Sequence, residues 1–195
     1  VHETTMAQEA VVSLFETFYP ISATLREAIN SHSYLLKVKK KQLLLDIGDI
    51  QHSIYFIIKG SVRTYYRDHE GEEVTSWLLY EQDLAISVFS FFSQKPSFEA
   101  LETLEDSSLL VLNHEKLIRL YHSHLEFNFI GRVLTEQYYI KSEEKANELR
   151  MCSATERYLN LLYHRPDVLK RTALGIVASY LGISRSTLSR IRAKI

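Results

Sequence analysis

Arg185, Ser186, Ser189 and Arg190 are spaced so that one side of a helix would carry two guanidiniums and two hydroxyls. At about 100° per residue they share an arc of about 140°, while Leu188 and Ile191 point the opposite way. Arginine on such an arc can bond guanine O6 and N7 bidentately in a major groove, and serine can bond bases or phosphates. Thr187, Arg192 and Lys194 flank the arc. They suit phosphate contacts, which fix position without reading sequence. No acidic residue follows Asp167, so nothing on this segment repels a polyanion.

The elements that must hold this arc can be read beside it. Thr172 can cap a first short helix through about Tyr180, and Ser184 can cap a second. Gly182 stands where the chain must turn sharply, and glycine tolerates the left-handed backbone such a turn uses. Ala178, four residues earlier, is a small side chain where two helices would cross closely. Val177, Leu181, Ile183, Leu188 and Ile191 are the apolar positions that hold two short helices at a steep angle. The pattern predicts a helix-turn-helix whose DNA contacts come from Ser184, Arg185, Ser186, Thr187, Ser189, Arg190 and Arg192.

Charge is distributed to match. The 195 residues carry a net charge of −1, but residues 1–150 sum to −7 and residues 151–195 to +6. A basic tail on an acidic body suits an anionic partner, although a solvated basic helix would show the same count. With 46 % hydrophobic and 24 % charged residues the composition is that of a soluble globular protein. No apolar run reaches the length of a membrane span, and Val1–Ser13 does not read as a signal segment. A single cysteine, Cys152, excludes an internal disulfide and a four-cysteine cluster within one chain, which points to the cytoplasm.

Upstream, residues 7–30 read as helical with an interruption at Pro20. Short apolar or alternating runs follow at Leu35–Val38, Gln42–Leu45, Ile54–Lys59, Val62–Tyr66, Val74–Leu79 and Leu109–Leu112, separated by turn signals at Gly48, Gly60 and Gly71. They suggest a β-sandwich or barrel. Ser87–Gln94 is either strand or a short inserted helix, and its Phe89, Phe91 and Phe92 read as core. Asn113 can cap a helix through about Tyr121. A long helix is expected from Glu126 to about Arg150, with Phe127, Ile130, Leu134, Tyr138 and Lys141 as its stripe. That stripe would meet a twin helix in a dimer, or else pack on its own β domain. Ser153 and Glu156 form a capping box for a helix through about His164.

Other chemistry finds less support. His122 and His124 lack a third ligand nearby, which favours a surface or capping role over a metal site. His52 and His69 are isolated near turns. No nucleophile–base pair emerges, so the chain is read as a non-enzyme with no metal and no assigned cofactor.

The segment Gly182–Arg190 resembles the turn and recognition helix of the Crp/Fnr family of bacterial transcription regulators. Tyr55–Arg63 resembles the strand–glycine–strand of that family's β-roll, Glu70–Val74 the next hairpin, and Ala100–Ser107 its late strands. The resemblance implies base reading by Arg185, Ser186 and Arg190, with Ser186 where relatives commonly have glutamate. It also implies an α+β fold: an N-terminal double-stranded β-helix (a jelly-roll of the cyclic-nucleotide-binding type), a long dimerisation helix and a C-terminal helix-turn-helix. The units would be 1–125, 126–150 and 151–195. Relatives that bind cyclic AMP carry a Gly-Glu pair and an Arg-Ser or Arg-Thr pair, and here Ile86-Ser87 and Phe98-Glu99 stand instead. A buried phosphate would lack its arginine and face Glu99, so cyclic AMP is not expected to bind in the usual way; Lys95 is the one cation nearby that keeps the question open. A chain stopping at Ile195 would have no room for a β-wing. The expected function is sequence-specific regulation of transcription on a pseudo-palindromic operator. The expected partners are double-stranded DNA, a second copy of the chain, an unidentified small-molecule effector and RNA polymerase, with no membrane. The alternative is a nucleotide- or small-molecule-sensing module acting through a protein partner.

Overall fold

The break at Pro20 divides the N-terminal helical segment in two. In the computed structural model, which describes residues 2–194, α1 spans His2–Glu16 and α2 spans Ala23–His32. Val1 and Ile195, the outer bounds of the first and last units read above, lie outside the described residues. Ser22 caps α2 by accepting the Leu25 N–H at 3.2 Å.

Eight strands follow. They are β1 (Ser33–Val38), β2 (Leu43–Leu45), β3 (Ser53–Lys59), β4 (Val62–Arg67), β5 (Glu73–Leu79), β6 (Leu84–Ala85), β7 (Ala100–Thr103) and β8 (Ser107–Asn113). A short helix, α3 (Val88–Ser93), sits between β6 and β7. The strands form two antiparallel four-stranded sheets, ordered β1-β8-β3-β6 and β2-β7-β4-β5. Pairs such as Tyr55–Val111 and Thr64–Leu101 set the register. Leu45, Ile57, Val62, Ala85, Leu101 and Leu109 fill the space between the sheets. On the other face of the first sheet, Ile54, Phe56, Leu110 and Leu112 pack under helices. Coverage on both faces explains why Ile54–Ile58 is almost continuously apolar rather than alternating. Gly60 turns β3 into β4 with φ +106°, and a Cβ there would lie 2.8 Å from the Ser107 Cα.

The remainder is helical: α4 (His114–Ser123), α5 (Leu125–Met151), α6 (Ala154–His164), α7 (Val168–Arg171), α8 (Leu174–Tyr180) and α9 (Arg185–Arg192). Asn113 caps α4 through the Glu115 N–H, and His124 occupies the joint between α4 and α5. Ser153 and Glu156 form the expected capping box on α6. No helix among the described residues is long and apolar enough to cross a membrane.

Two expectations need correction, and an open alternative is narrowed. Of the two readings of the α5 stripe, the contacts within the chain are those of packing on its own β structure. Phe127 and Ile130 are buried with α1, α2, α4 and the first sheet, Tyr138 lies 5.6 Å from the Trp77 ring, and Lys141 reaches Asp83 at 3.4 Å. The first sheet has an apolar outer face to cover, and this stripe is the nearest cover. Of the α3 phenylalanines only Phe91 is core; Phe89 and Phe92, three residues apart on the outer side, are 45 % and 53 % exposed. Thr172 does not cap α8. It is buried, with its hydroxyl 3.0 Å from the Tyr80 hydroxyl, and Ala173 occupies the cap position without a side-chain bond.

Candidate nucleic-acid interface

Gly182 adopts φ +66°, which lets the chain leave α8 and enter α9 within four residues. The Ser184 hydroxyl accepts the Thr187 N–H at 3.1 Å and stands 2.9 Å from both the Ser186 and Thr187 hydroxyls. That oxygen serves the first turn of α9 before anything else. Leu188 and Ile191 are buried with Val177, Ala178 and Leu181, so the apolar framework closes as its spacing predicts. Arg185, Ser186, Ser189, Arg190 and Arg192 are exposed on the outer side, and Thr187 is half-buried.

The two arginines of the arc differ in setting. Arg185 lies across α8 at Gly175, where a Cβ would come within 2.3 Å of its guanidinium. Arg190 donates to Thr187 Oγ1 at 3.2 Å and is otherwise at the surface. The arc is therefore assembled, with Arg185 folded back and Arg190 outward.

The α6–α9 region is joined to the β-roll by a shared interior. Tyr158, Val168, Val177, Leu181 and Leu188 pack with Leu78, Tyr80 and Leu104. β5 is the edge strand of its sheet, and its free polar groups are taken up by this contact. The Thr75 N–H donates to Ser179 Oγ at 2.9 Å, Ser179 Oγ donates to the Glu73 carbonyl at 3.1 Å, and Lys145 Nζ donates to the Ser76 carbonyl. Lys145 also lies 3.5 Å from the Tyr180 ring centroid. Burial pulls its pKa down to about 7, against the pull of Glu148.

Arg171 closes the opposite side of this contact. It forks onto both Glu81 carboxylate oxygens at 2.8 and 2.9 Å, bonds Glu105 at 2.5 Å, and reaches Asp167 and the Gly60 carbonyl at 3.3 and 3.2 Å. The Arg171 bonds hold the Glu81 pKa down to about 2, helped by the Gly60 N–H and opposed by burial. Arg165 adds a 3.0 Å pair to Asp83. None of Arg171, Lys145 or Ser179 stood out in the sequence. Apart from Asp167, the hydrogen-bond partners named for them lie 66 to 111 residues away, and a lone basic or hydroxyl residue carries no spacing signal.

The stretch from Ile86 to Glu99 is hydrogen-bonded within the β-roll. The Ser87 N–H donates to Gln51 Oε1 at 2.5 Å, and Gln51 is itself buried. The Ser87 and Ser97 hydroxyls are 3.2 Å apart. Glu99 is half-buried, and burial raises its pKa while bonds with Ser87 and Ser76 lower it. Phe98 is exposed, and so is Lys95.

Residues 35–124, which run from β1 through α4, match the family model described as the cyclic nucleotide-binding domain. The fold is that of the Crp/Fnr regulators. The c-di-GMP-responsive global regulator CLP of Xanthomonas campestris is 20 % identical, with 89 % of this chain and 91 % of that chain covered and a TM-score of 0.68. FixK2 from Bradyrhizobium japonicum is 17 % identical over 83 % of each chain, with a TM-score of 0.70. A regulator assigned to the Crp/Fnr family from Eubacterium rectale is 16 % identical, covering 90 % of this chain and 85 % of that chain at a TM-score of 0.70. No curated protein sequence matches. The Crp/Fnr likeness is one of fold, and it spans the β-roll, the long helix and the terminal helices alike.

Proposed function

We propose that this chain is a sequence-specific DNA-binding transcription regulator of the Crp/Fnr type. The observation that carries the reading is the exposed arc on α9. The Arg190 guanidinium and the Ser186 and Ser189 hydroxyls face outward, with the exposed Arg185 laid beside them across Gly175, on a helix whose other side is locked by Leu188 and Ile191. In this reading residues 151–195 form a helix-turn-helix unit, 126–150 the connecting helix and 1–125 a β-roll that receives a signal. Arg185 and Arg190 read bases, Ser186 and Ser189 assist, and Thr187 and Arg192 hold phosphates. Ser184 caps the helix and contacts DNA only secondarily.

A dimer fits the helix face left over once the β-roll has taken its share. Phe129, Tyr139 and Ile140 on α5 are exposed and share an arc of about 100°. A two-fold dimer through this face would place two α9 helices on half-sites about one helical turn apart. The effector differs from cyclic AMP, because Gln51 and Glu99 occupy the polar environment a cyclic phosphate would need.

Selection from random duplexes with the purified protein tests the reading. The expected result is an inverted-repeat consensus. Recovery of no consensus at low salt would refute sequence-specific binding. Arg190→Ala should cost about 1–3 kcal/mol on the selected site and relax preference at one base pair per half-site.

A further inference from the structure

A cleft of about 610 Å³ opens between the β5 edge and helices α5, α6 and α8. That volume falls within the range of small-molecule sites. Trp77, Leu161 and Leu181 contribute apolar wall, and Lys145 and Tyr180 stand together on one side. The cleft is distinct from the stretch around Ser87 and Glu99 discussed above, neither of which lines it.

The cations of this cleft are unequally committed. Arg165 and Lys141 are paired with Asp83. Arg157 donates to the Leu181 and Cys152 carbonyls at 3.0 and 2.7 Å. Lys145 has no ion pair among the described residues; its ammonium donates to one carbonyl and lies 3.5 Å from the Tyr180 ring centroid and 5.3 Å from that of Trp77. The neighbouring carboxylate of Glu148 is held instead by the Asn160 amide at 2.9 Å. An ammonium has three donors, and only one here meets an acceptor. Leaving a mostly buried cation without a counter-charge is costly, and an incoming anion would remove that cost through charge-assisted hydrogen bonds.

We propose that this cleft binds a small aromatic anion, with its rings against Trp77, Leu161 and Leu181 and its carboxylate, sulfonate or phosphate on Lys145. The occupant would touch the β-roll, the connecting helix and the terminal helices at once. Its consequence for DNA binding rests on the regulator reading above; the binding itself does not.

The probe is 1-anilinonaphthalene-8-sulfonate, titrated by fluorescence into the full chain at about pH 6.5, where Lys145 is largely charged. One saturable site per chain is expected. Lys145→Met should weaken it by about tenfold or more, while the uncharged N-phenyl-1-naphthylamine should change by less than about threefold. On the unaltered protein, naphthalene-1-sulfonate should displace the dye and 1-naphthalenemethanol at equal concentration should not. That arm needs no variant and decides the matter even if Lys145→Met does not fold. Absence of a saturable site, or equal displacement by the neutral and anionic compounds, overturns the proposal. A Lys145-dependent dye site alongside a failed duplex selection would leave the cleft standing and remove the regulator reading. The converse outcome would do the reverse.

Discussion

Replacing Arg171 by alanine removes the fork that ties α7 to the β-roll. Its side chain is 23 % exposed and its partners Glu81, Glu105 and Asp167 are 36 %, 33 % and 48 % exposed. Fully exposed pairs contribute at most about 1 kcal/mol, and breaking a fully buried pair costs about 3–5 kcal/mol. The position between those limits suggests a loss of about 2 kcal/mol. Glu81 gives a second route to the figure. Lowering its pKa from 4.5 to about 2 would be worth about 3.4 kcal/mol without screening. The carboxylate is more than a third exposed, and screening reduces this to about 1–2 kcal/mol. A loss near 2 kcal/mol lowers the melting temperature by about 4–8 °C for a chain of this size.

The sign with pH follows from the direction of the Glu81 displacement. A carboxylate whose folded pKa is depressed stabilises the fold fully above its unfolded value of 4.5, and that stabilisation fades as pH falls toward about 2. Urea unfolding of the unaltered chain and of Arg171→Ala should therefore differ by about 2 kcal/mol near pH 7, with the gap narrowing near pH 3. A gap under about 0.5 kcal/mol near pH 7, or one of the same size near pH 3, would refute the reasoning. Arg171→Lys should recover only part of the loss, because an ammonium cannot fork across Glu81 while also bonding Glu105.

Further outcomes follow from neighbouring contacts. Gly60→Ala combines a strained φ of +106° with a Cβ 2.2–2.8 Å from Ser107, backbone included, and should cost about 3 kcal/mol or more in urea unfolding. The Lys145 pKa lies below its unfolded value of 10.5, so the unfolded chain binds the extra proton between about pH 7 and 10.5 and stability rises across that window. The Tyr180 ring face and the Ser76 carbonyl favour the cation and moderate the gain to about 1–2 kcal/mol between about pH 7 and 9.5, a gain Lys145→Met should lack. Above about pH 10 the tyrosine counteracts it, because burial pushes the Tyr180 pKa up to about 12. Ser184→Ala removes the α9 cap and should lower the melting temperature by the equivalent of about 1 kcal/mol.

Local features were legible because they rest on local physics. The caps at Asn113, Ser153 and Ser184 were readable because each serves N–H groups two or three residues away. The turn at Gly182 was readable because it needs a residue free to adopt positive φ. Thr172 shows the limit: as a residue type it suits a cap, but Tyr80, 92 residues away, takes its hydroxyl. The strands β6 and β7 gave no periodic signal of their own, having two and four residues, and β7 was read only through the resemblance.

The sequence by itself determined the order of the longer elements, the two faces of α9 and the chemistry available on its outer arc. Each follows from residue type and a period of a few residues. Only the tertiary structure decided which surface the α5 stripe covers, that Arg185 folds across Gly175 while Arg190 faces outward, and that the β5 edge is closed by Ser179 and Lys145. Those outcomes depend on which distant groups come within hydrogen-bond or packing distance, and no local pattern encodes that. The α9 arc that reads as a DNA surface is thus written in eight consecutive residues, while the contacts that set its position span the chain.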